Sequence, residues 1–157
     1  MKKFKILIPV YNDWPSVFQL LKNIDNEVEK LNGEFSILIV NDGSTEKMIK
    51  GEKVYKNIKL VEIMNMKKNQ GHTRSNATGI KYLSEKKDYD YLIVMDGDGE
   101  DRPEEIQLLV NKILNNQNKS VVARRIKRSE GIIFSILYNI HKLITLIFTG
   151  ENMNFGH

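Results

Sequence analysis

Short apolar runs alternate with amphipathic helical patterns along most of this chain. The runs are rich in Ile, Leu and Val, and helical patterns or polar loops separate them. This order builds a mostly parallel sheet with helices on both faces. The sequence therefore predicts an α/β fold with five strands, at residues 5–10, 35–41, 58–64, 91–95 and 120–123.

Two helices are predicted before the fourth strand. Asp13 is suited to the N-cap of the first helix, Pro15 to its first turn, and Gly33 to the position that stops it. A second, shorter helix is predicted over residues 73–84, directly after Asn69-Gln70-Gly71. The apolar face of the first helix contains Val17, Leu20, Leu21, Ile24, Val28 and Leu31.

The charge distribution narrows the classes of function. The formal net charge is only +4, but residues 96–105 hold six acidic side chains and one basic one, whereas residues 119–128 hold five basic and no acidic side chains. This segregation indicates a cation site beside an anion site, which nucleic-acid binding alone would not require. The chain has no cysteine, and Pro9 interrupts its first apolar run, so a cytoplasmic location is expected.

An acidic motif, Asp96-Gly97-Asp98, follows the fourth predicted strand. Ligands of open α/β sheets bind outside the carboxyl ends of the strands, where these two carboxylates can converge on one cation. Mg²⁺ or Mn²⁺, shared with a diphosphate, suits such oxygen ligands. The alternative is a solvated acidic turn without a metal. An EF-hand is disfavoured, because Asp101 and Gln107 occupy the positions that need glycine and glutamate.

A third helix is predicted after this acidic loop. Asp101 and Glu104 form a capping-box pattern ahead of an apolar helical face that begins at Ile106. The N-terminus of this helix is therefore expected to point back at the acidic loop.

Two further loops are expected at the same edge of the sheet. Pro9-Val10-Tyr11-Asn12-Asp13 follows the first strand, and Asn41-Asp42-Gly43-Ser44-Thr45 follows the second. An aromatic ring, backbone groups and a carboxylate suit the stacking and edge recognition of a nucleobase and its ribose. Each loop taken alone also fits ordinary packing or turn chemistry.

Four motifs in order, spread over about residues 4–128, resemble glycosyltransferase family 2. They are Pro9-Val10-Tyr11-Asn12, Asn41-Asp42-Gly43-Ser44, Asn69-Gln70-Gly71 and Asp96-Gly97-Asp98. The segments 96–105 and 123–128 are most similar to the branch that loads sugars onto polyprenyl phosphates. The resemblance implies a GT-A, Rossmann-like fold and an inverting reaction.

The resemblance also implies roles for individual residues. The residues implied in nucleotide binding are Pro9, Tyr11, Asp13, Asp42, Gly71 and Asp96. Asp96 and Asp98 are implied in metal binding and catalysis, with Glu100 as a further metal ligand. Arg125 and Arg128 are implied in phosphate binding. The chain departs from the family pattern at Ser75 and Ala77, which stand where many relatives have Ala and Asn, and at Glu100, where the polyprenyl-phosphate branch often has Gln. His72 and Arg74 follow the Asn69-Gln70-Gly71 loop and either reach the diphosphate or are exposed.

Residues 132–148 form a largely apolar segment with Lys142 inside it. At about 1.5 Å per residue its 17 residues make a helix about 26 Å long, shorter than the ~30 Å hydrocarbon core of a bilayer. We expect it to lie on the membrane surface or to pack against other protein. The predicted organisation is a nucleotide-sugar domain over residues 1–128 and an incomplete acceptor-side or membrane-surface segment over residues 129–157, in a chain that looks truncated.

The predicted function is metal-dependent transfer of a sugar from a UDP- or GDP-linked donor to polyprenyl phosphate or a cell-surface glycan, at the inner face of the membrane. One alternative is a truncated, non-catalytic nucleotide-binding or interaction domain. The other is a sugar nucleotidyltransferase, although the loop after the first strand lacks the glycines that such enzymes use to bind phosphate.

Overall fold

The computed structural model describes residues 1–48, 54–116, 119–123 and 140. Residues Met1–Val121 form one compact unit and residues Val122–His157 a second. The elements of the first unit are, in chain order, β1 (Lys3–Val10), α1 (Trp14–Val28), β2 (Glu34–Asn41), β3 (Ile58–Asn65), α2 (His72–Lys86), β4 (Tyr91–Val94), a 3₁₀ turn (Pro103–Glu105) and α3 (Ile106–Asn115).

The four strands form one parallel sheet in the order β3-β2-β1-β4. After β1 the chain forms β2 and β3 on one side of β1, and it then crosses back to form β4 on the other side of β1. The strand order therefore reverses between β1 and β4, and ligands of open α/β sheets bind in the crevice outside the carboxyl ends of such a strand pair. The predicted α/β fold is confirmed.

Strand β1 lies at the centre of the core and is covered on both faces. Its residues Phe4, Ile6 and Ile8 are fully buried with the apolar face of α1 and with Ile106 and Val110 of α3. On the opposite face Leu7 packs with Leu38, Val40 and Leu83, the last of which belongs to α2. Coverage of both faces explains why β1 is apolar without interruption from Ile6 to Val10.

Helix α2 packs on the sheet through Gly79. A Cβ atom at this position would lie 2.5 Å from Cδ1 of Leu7 and 2.9 Å from Cγ2 of Val40. Only glycine allows the helix axis to come this close, so Gly79 sets the distance between α2 and the strands β1 and β2.

The boundaries of α1 match the prediction at its start. Asp13 is the N-cap, and its Oδ1 atom accepts a hydrogen bond from the backbone N–H of Ser16 at 3.3 Å. The helix ends at Val28, before Leu31 and Gly33. Gly33 therefore does not stop the helix as predicted. It lets the backbone pass close to Phe4 instead, because a Cβ atom at Gly33 would lie 2.9 Å from the Phe4 ring.

The predicted capping box before the third helix is wrong. Pro103 restricts Arg102 to an extended conformation (φ −86°, ψ 119°), so the helical turn begins at Pro103 rather than after Asp101. The Oδ2 atom of Asp101 instead accepts a hydrogen bond from the backbone N–H of Asp96 at 2.9 Å, which closes the acidic loop on itself.

The predicted fifth strand is also wrong, because residues 120–123 have no regular secondary structure in the part of the chain that the structure describes. Their β-branched residues favour a strand, but a strand forms only where a neighbour supplies the ladder of hydrogen bonds. Val122 is instead 85% exposed.

Several predictions fall on residues outside the described ranges. They concern Arg125, Arg128, the boundary after residue 128 and most of segment 132–148, of which only Ile140 is described, in a helical conformation. Among the described residues, no helix combines the length and the apolar character that crossing a bilayer requires.

Lys5 is a buried cation in the middle of the fold, only 2% exposed. Its Nζ atom donates to Oε2 of Glu62 on β3 at 3.1 Å, and Lys86 of α2 donates to the other oxygen of the same carboxylate. The hydrogen bonds from Lys86 and Lys5 hold the pKa of Glu62 below its usual value. Removing the Glu62 charge is costly, because it leaves the buried Lys5 cation with the more distant and solvent-exposed Asp88 carboxylate, whose Oδ2 lies 4.0 Å from Nζ.

We predict that Glu62→Gln destabilises the fold at neutral pH and that its difference from wild type shrinks in acid. The folded-state pKa of Glu62 is lowered, so its stabilising contribution is present above the ordinary carboxyl value of about 4.3 and is lost as the pH falls through the lowered value. Urea denaturation at several pH values measures this. The exposed Glu85→Gln variant is the control, and equal, pH-independent effects of the two changes would contradict the prediction.

Asp25 attaches the start of β3 to α1. Its carboxylate is 8% exposed and accepts hydrogen bonds from the backbone N–H groups of Lys56, Asn57 and Ile58 at 3.1, 2.8 and 2.9 Å. The side-chain amide of Asn57 also donates to the Asp25 carbonyl at 2.9 Å. Three consecutive amides around one carboxylate form an anion-binding turn, and the anion here is part of the protein itself.

We predict that Asp25→Ala lowers the free energy of unfolding by about 3 kcal/mol, because three backbone N–H donors lose their acceptor, that of Ile58 in a buried bond and those of Lys56 and Asn57 in partly buried ones. Chemical denaturation at neutral pH measures the change. Asn23→Ala, on the exposed side of the same helix, should alter stability by no more than about 0.5 kcal/mol. A loss at Asp25 as small as that of the control would show that the carboxylate does not hold this turn.

Candidate nucleotide site

An open cleft of about 380 Å³ lies at the carboxyl ends of β1, β2 and β4. Its volume is within the usual range of small-molecule sites, about 300–1,000 Å³. Residues from four loops and from the first turn of α2 line it: Pro9, Val10, Tyr11, Asp13, Asp42, Asn69, Gly71, His72, Ser75, Asp96, Gly97 and Asp98. The structure thus brings together every predicted nucleotide-binding residue, together with Asp98, whereas Glu100 does not line the cleft.

The loop after β1 supplies the aromatic side of the cleft. The Tyr11 side chain is 47% exposed, which leaves ring surface available to a ligand. Asp13 lines the cleft and also caps α1, so one of its oxygens is already engaged by Ser16. The helix start therefore fixes where the Asp13 carboxylate lies.

Asn12 joins the loops after β1 and β2, a role that the sequence analysis missed. Its backbone has a left-handed φ of 54°, which asparagine tolerates better than most residues. Its N–H donates to Oγ of Ser44 at 3.0 Å, and its Oδ1 accepts from the backbone N–H groups of Thr45 at 2.8 Å and Glu46 at 3.0 Å. The two loops consequently form one hydrogen-bonded unit. No sequence spacing indicates such a bond between residues more than 30 positions apart.

Asp42 anchors the loop that precedes α2. It is 3% exposed, and its two carboxylate oxygens accept from the backbone N–H groups of Gln70 and Gly71, each at 2.8 Å. The adjacent Gly43 has a φ of +69°, and a Cβ atom there would lie 2.6 Å from the carbonyl carbon of Lys68. The observed role of Asp42 is structural, and its predicted contact with a nucleoside stays a prediction.

The acidic loop continues directly from β4. The backbone N–H of Met95 donates to the Leu7 carbonyl at 3.0 Å, so the chain remains attached to β1 up to the residue before Asp96. A Cβ atom at Gly97 would lie 2.7 Å from the Pro9 carbonyl oxygen, and only glycine permits that approach. Asp96 and Asp98 therefore flank the point where the acidic loop touches the loop after β1.

Of the four carboxylates that line the cleft, those of Asp96 and Asp98 suit a divalent cation that also binds a diphosphate. Oδ1 of Asp96 lies 2.7 Å from Nε2 of His72, and Oδ1 of Asp98 accepts from the backbone N–H of Glu100 at 2.9 Å. Hard oxygen donors of this kind fit Mg²⁺ or Mn²⁺, which keep several ligand positions for water and phosphate oxygens. Within the described ranges no three His, Asp or Glu side chains form a group that could hold a metal ion, so the predicted trio of Asp96, Asp98 and Glu100 is not assembled.

Comparison with known proteins identifies the family. The model of glycosyl transferase family 2 matches residues 5–155. The chain belongs to this family. Membership agrees with the resemblance seen in the four motifs and favours a glycosyltransferase over a sugar nucleotidyltransferase.

Solved structures of S. aureus TarS share the fold of this family 2 chain. Residues 1–349 of TarS superpose with a TM-score of 0.55 at 19% identity, and the same fragment in complex with UDP superposes with a TM-score of 0.58 at 20% identity. Each match covers 82% of this chain and 39% of the TarS fragment. The longer TarS structure matches with a TM-score of 0.56 at 20% identity, over 82% of this chain and 24% of TarS. This chain therefore spans well under half the length of the solved structures that it resembles.

We predict that Asp42→Asn releases the loop that precedes α2. An amide presents an acceptor on one side only, so at least one of the Gln70 and Gly71 N–H groups loses its partner, at a cost of about 1–3 kcal/mol. Hydrogen exchange followed by NMR should show reduced protection of these two amides. The Met66 amide is the internal control, because it donates to the Asn41 carbonyl at 2.8 Å independently of the Asp42 side chain. Unchanged exchange at Gln70 and Gly71 would contradict the anchoring role.

Proposed function

We propose that this family 2 domain binds a nucleoside-diphosphate sugar in the cleft, together with a divalent metal, and transfers the sugar to an acceptor. The observation that supports this most is the convergence of four separate motifs on one cleft: the Tyr11 loop, the Asp42 loop, the Gly71 loop and the Asp96-Gly97-Asp98 loop. A TarS structure in complex with UDP, which has the same fold, supports UDP as the first nucleotide to test and leaves GDP as the second.

In this proposal the nucleoside occupies the side of the cleft formed by the loops after β1 and β2. The Tyr11 ring stacks on the base, while Pro9, Asp13 and Asp42 contact the base and ribose. Gly71 bears no side chain, and a Cβ atom at this position would meet nothing within 4 Å, so the backbone there is open to a ligand. The diphosphate then extends from this side towards Asp96.

Asp96 and Asp98 hold the metal in the proposed reaction, with Glu100 as a third ligand only if its loop rearranges. A bound Mg²⁺ or Mn²⁺ ion would neutralise the negative charge that develops on the departing diphosphate. The acceptor oxygen forms a bond to the anomeric carbon while the bond from that carbon to the diphosphate breaks, and this single displacement inverts the configuration. By holding the metal ion, the two carboxylates would orient the diphosphate for that displacement.

The acceptor that we propose is polyprenyl phosphate, with a cell-surface glycan as the alternative. A phosphate oxygen is already a nucleophile and needs no strong general base, whereas a sugar hydroxyl requires one. We further propose that Arg125 and Arg128 bind phosphate and that residues 132–148 contact the inner membrane surface. A domain that binds nucleotide without transferring sugar is the competing function.

The experiment that separates these functions is incubation of the chain with radiolabelled UDP- and GDP-sugars, with and without polyprenyl phosphate. Transfer of the label to the lipid supports the proposed reaction. Label that stays on the nucleotide, combined with metal-dependent nucleotide binding, supports the non-catalytic domain.

We predict that UDP or GDP binding depends on Mg²⁺ or Mn²⁺ and that Asp98→Asn weakens it by about 10-fold or more, because a charged metal ligand is lost. Isothermal titration calorimetry with metal and with EDTA measures both effects. Glu85→Gln removes the same charge from an exposed site outside the cleft and should bind as wild type does. Equal affinity with metal and with EDTA, for wild type and Asp98→Asn alike, would disprove the metal site.

A further inference from the structure

The first residue of α2 reaches across the cleft to the acidic loop. Nε2 of His72 lies 2.7 Å from Oδ1 of Asp96, although the two residues belong to different elements. One helical turn later, Nδ2 of Asn76 lies 3.1 Å from the same imidazole nitrogen. The His72 ring therefore lies between Asn76 on its own helix and Asp96 in the acidic loop after β4.

The direction of the contact with Asp96 follows from its chemistry. An ionised carboxylate can only accept hydrogen bonds, so Nε2 carries the proton and donates to Asp96. The Asn76 amide nitrogen is itself a donor, so its contact with the protonated Nε2 is not a hydrogen bond. Charge-assisted bonds of this kind are stronger than neutral ones, and they fix the rotamer of the carboxylate. A carboxylate has about four lone-pair sites on its two oxygens, so Asp96 can bind a further ligand while Oδ1 accepts from His72.

Asp96 is thereby held at two points. Its backbone N–H donates to Oδ2 of Asp101 at 2.9 Å, and its side chain accepts from His72. Within residues 1–48, 54–116 and 119–123, the Asp98 carboxylate is instead bonded inside its own loop, by the backbone N–H of Glu100 at 2.9 Å. Of the two carboxylates in the Asp96-Gly97-Asp98 motif, Asp96 is the one that a residue from another element orients.

We propose that His72 is a positioning residue that orients Asp96 towards the divalent metal and the diphosphate. This inference rests on the proposed function and deepens it. Hydrogen-bond partners of metal ligands reduce metal affinity by about 10- to 100-fold when they are removed. The side chains of His72 and Asp96 are 58% and 48% exposed, so we expect a change of about 10-fold, at the lower end of that range.

Direct ligation of the metal by His72 would behave differently. Imidazole is a softer ligand than a carboxylate, so a site that contains it favours Mn²⁺ over Mg²⁺ more strongly than an oxygen site does. A hydrogen bond to Asp96 supports either ion alike. The ratio of Mn²⁺- to Mg²⁺-supported affinity therefore distinguishes the two roles.

The test compares wild type, His72→Ala, His72→Gln and the control Thr73→Ala, an exposed neighbour that does not line the cleft. Calorimetry measures affinity for UDP and for GDP with Mg²⁺, with Mn²⁺ and with EDTA. We expect His72→Ala to weaken binding about 10-fold with either metal and less than about 2-fold with EDTA. Glutamine retains an N–H donor at a similar reach and should restore part of the loss, while Thr73→Ala should match wild type.

Each other outcome overturns the inference in a recognisable way. Metal-dependent binding that His72→Ala leaves unchanged rejects the inference but keeps the proposed function. An equal loss with metal and with EDTA indicates a role in folding or in direct nucleotide contact, and a loss confined to Mn²⁺ indicates direct ligation. A wild-type chain that binds neither nucleotide with metal rejects the proposed function, and the inference fails with it.

Discussion

The pairing of β1 with a parallel neighbour on each side determines where every other part of the cleft lies. Because β2 and β4 flank β1 in the same direction, the loops that follow all three strands leave the sheet at one edge. The reversal of strand order leaves a crevice there that no crossover helix fills. Burial of β1 on both faces stabilises this arrangement, since its apolar side chains contribute to both halves of the core.

Glycine positions then decide how closely the loops and helices approach one another. Gly79 brings α2 against Leu7 and Val40, and Gly97 brings the acidic loop against the Pro9 carbonyl. A methyl group at either place would overlap its neighbour and would separate the elements that line the cleft. The cleft is thus shaped by close backbone contacts as much as by the polar side chains that line it.

The periodic parts of the fold could be predicted from the sequence, and the contacts between distant loops could not. The four strands, the N-cap at Asp13 and the family all follow from local patterns and motif order. The capping box failed because the effect of Pro103 on its predecessor outweighed a favourable spacing, and the fifth strand failed because strand propensity does not supply a pairing partner. The residues around Asp25 did not indicate its anchoring role, because the amides that its carboxylate binds lie more than 30 residues further along the chain.

For the cleft residues, likewise, the sequence predicted their location but not all of their contacts. Motif order placed Tyr11, Asp42 and Asp96 at one edge of the sheet, and the structure agrees. It could not show that Asp42 would use both oxygens on backbone amides or that His72 would bond to Asp96, because these bonds depend on the packing of α2 against the sheet. The motifs thus indicate which residues lie in the cleft, while the hydrogen bonds show the structural role of each residue there.

The bonds made by Asn12 have a consequence for the thermodynamics of binding. The loops after β1 and β2 are already joined to each other, so a nucleoside that enters between them restricts few additional backbone torsions. Ordering of loops and side chains is one of the main entropic costs of association. That cost should fall mainly on the acidic loop, where the carboxylates of Asp98 and Asp101 accept hydrogen bonds from backbone N–H groups of the same loop. A nucleoside without phosphates would then bind with a small entropic penalty, and the penalty would appear only as phosphates are added.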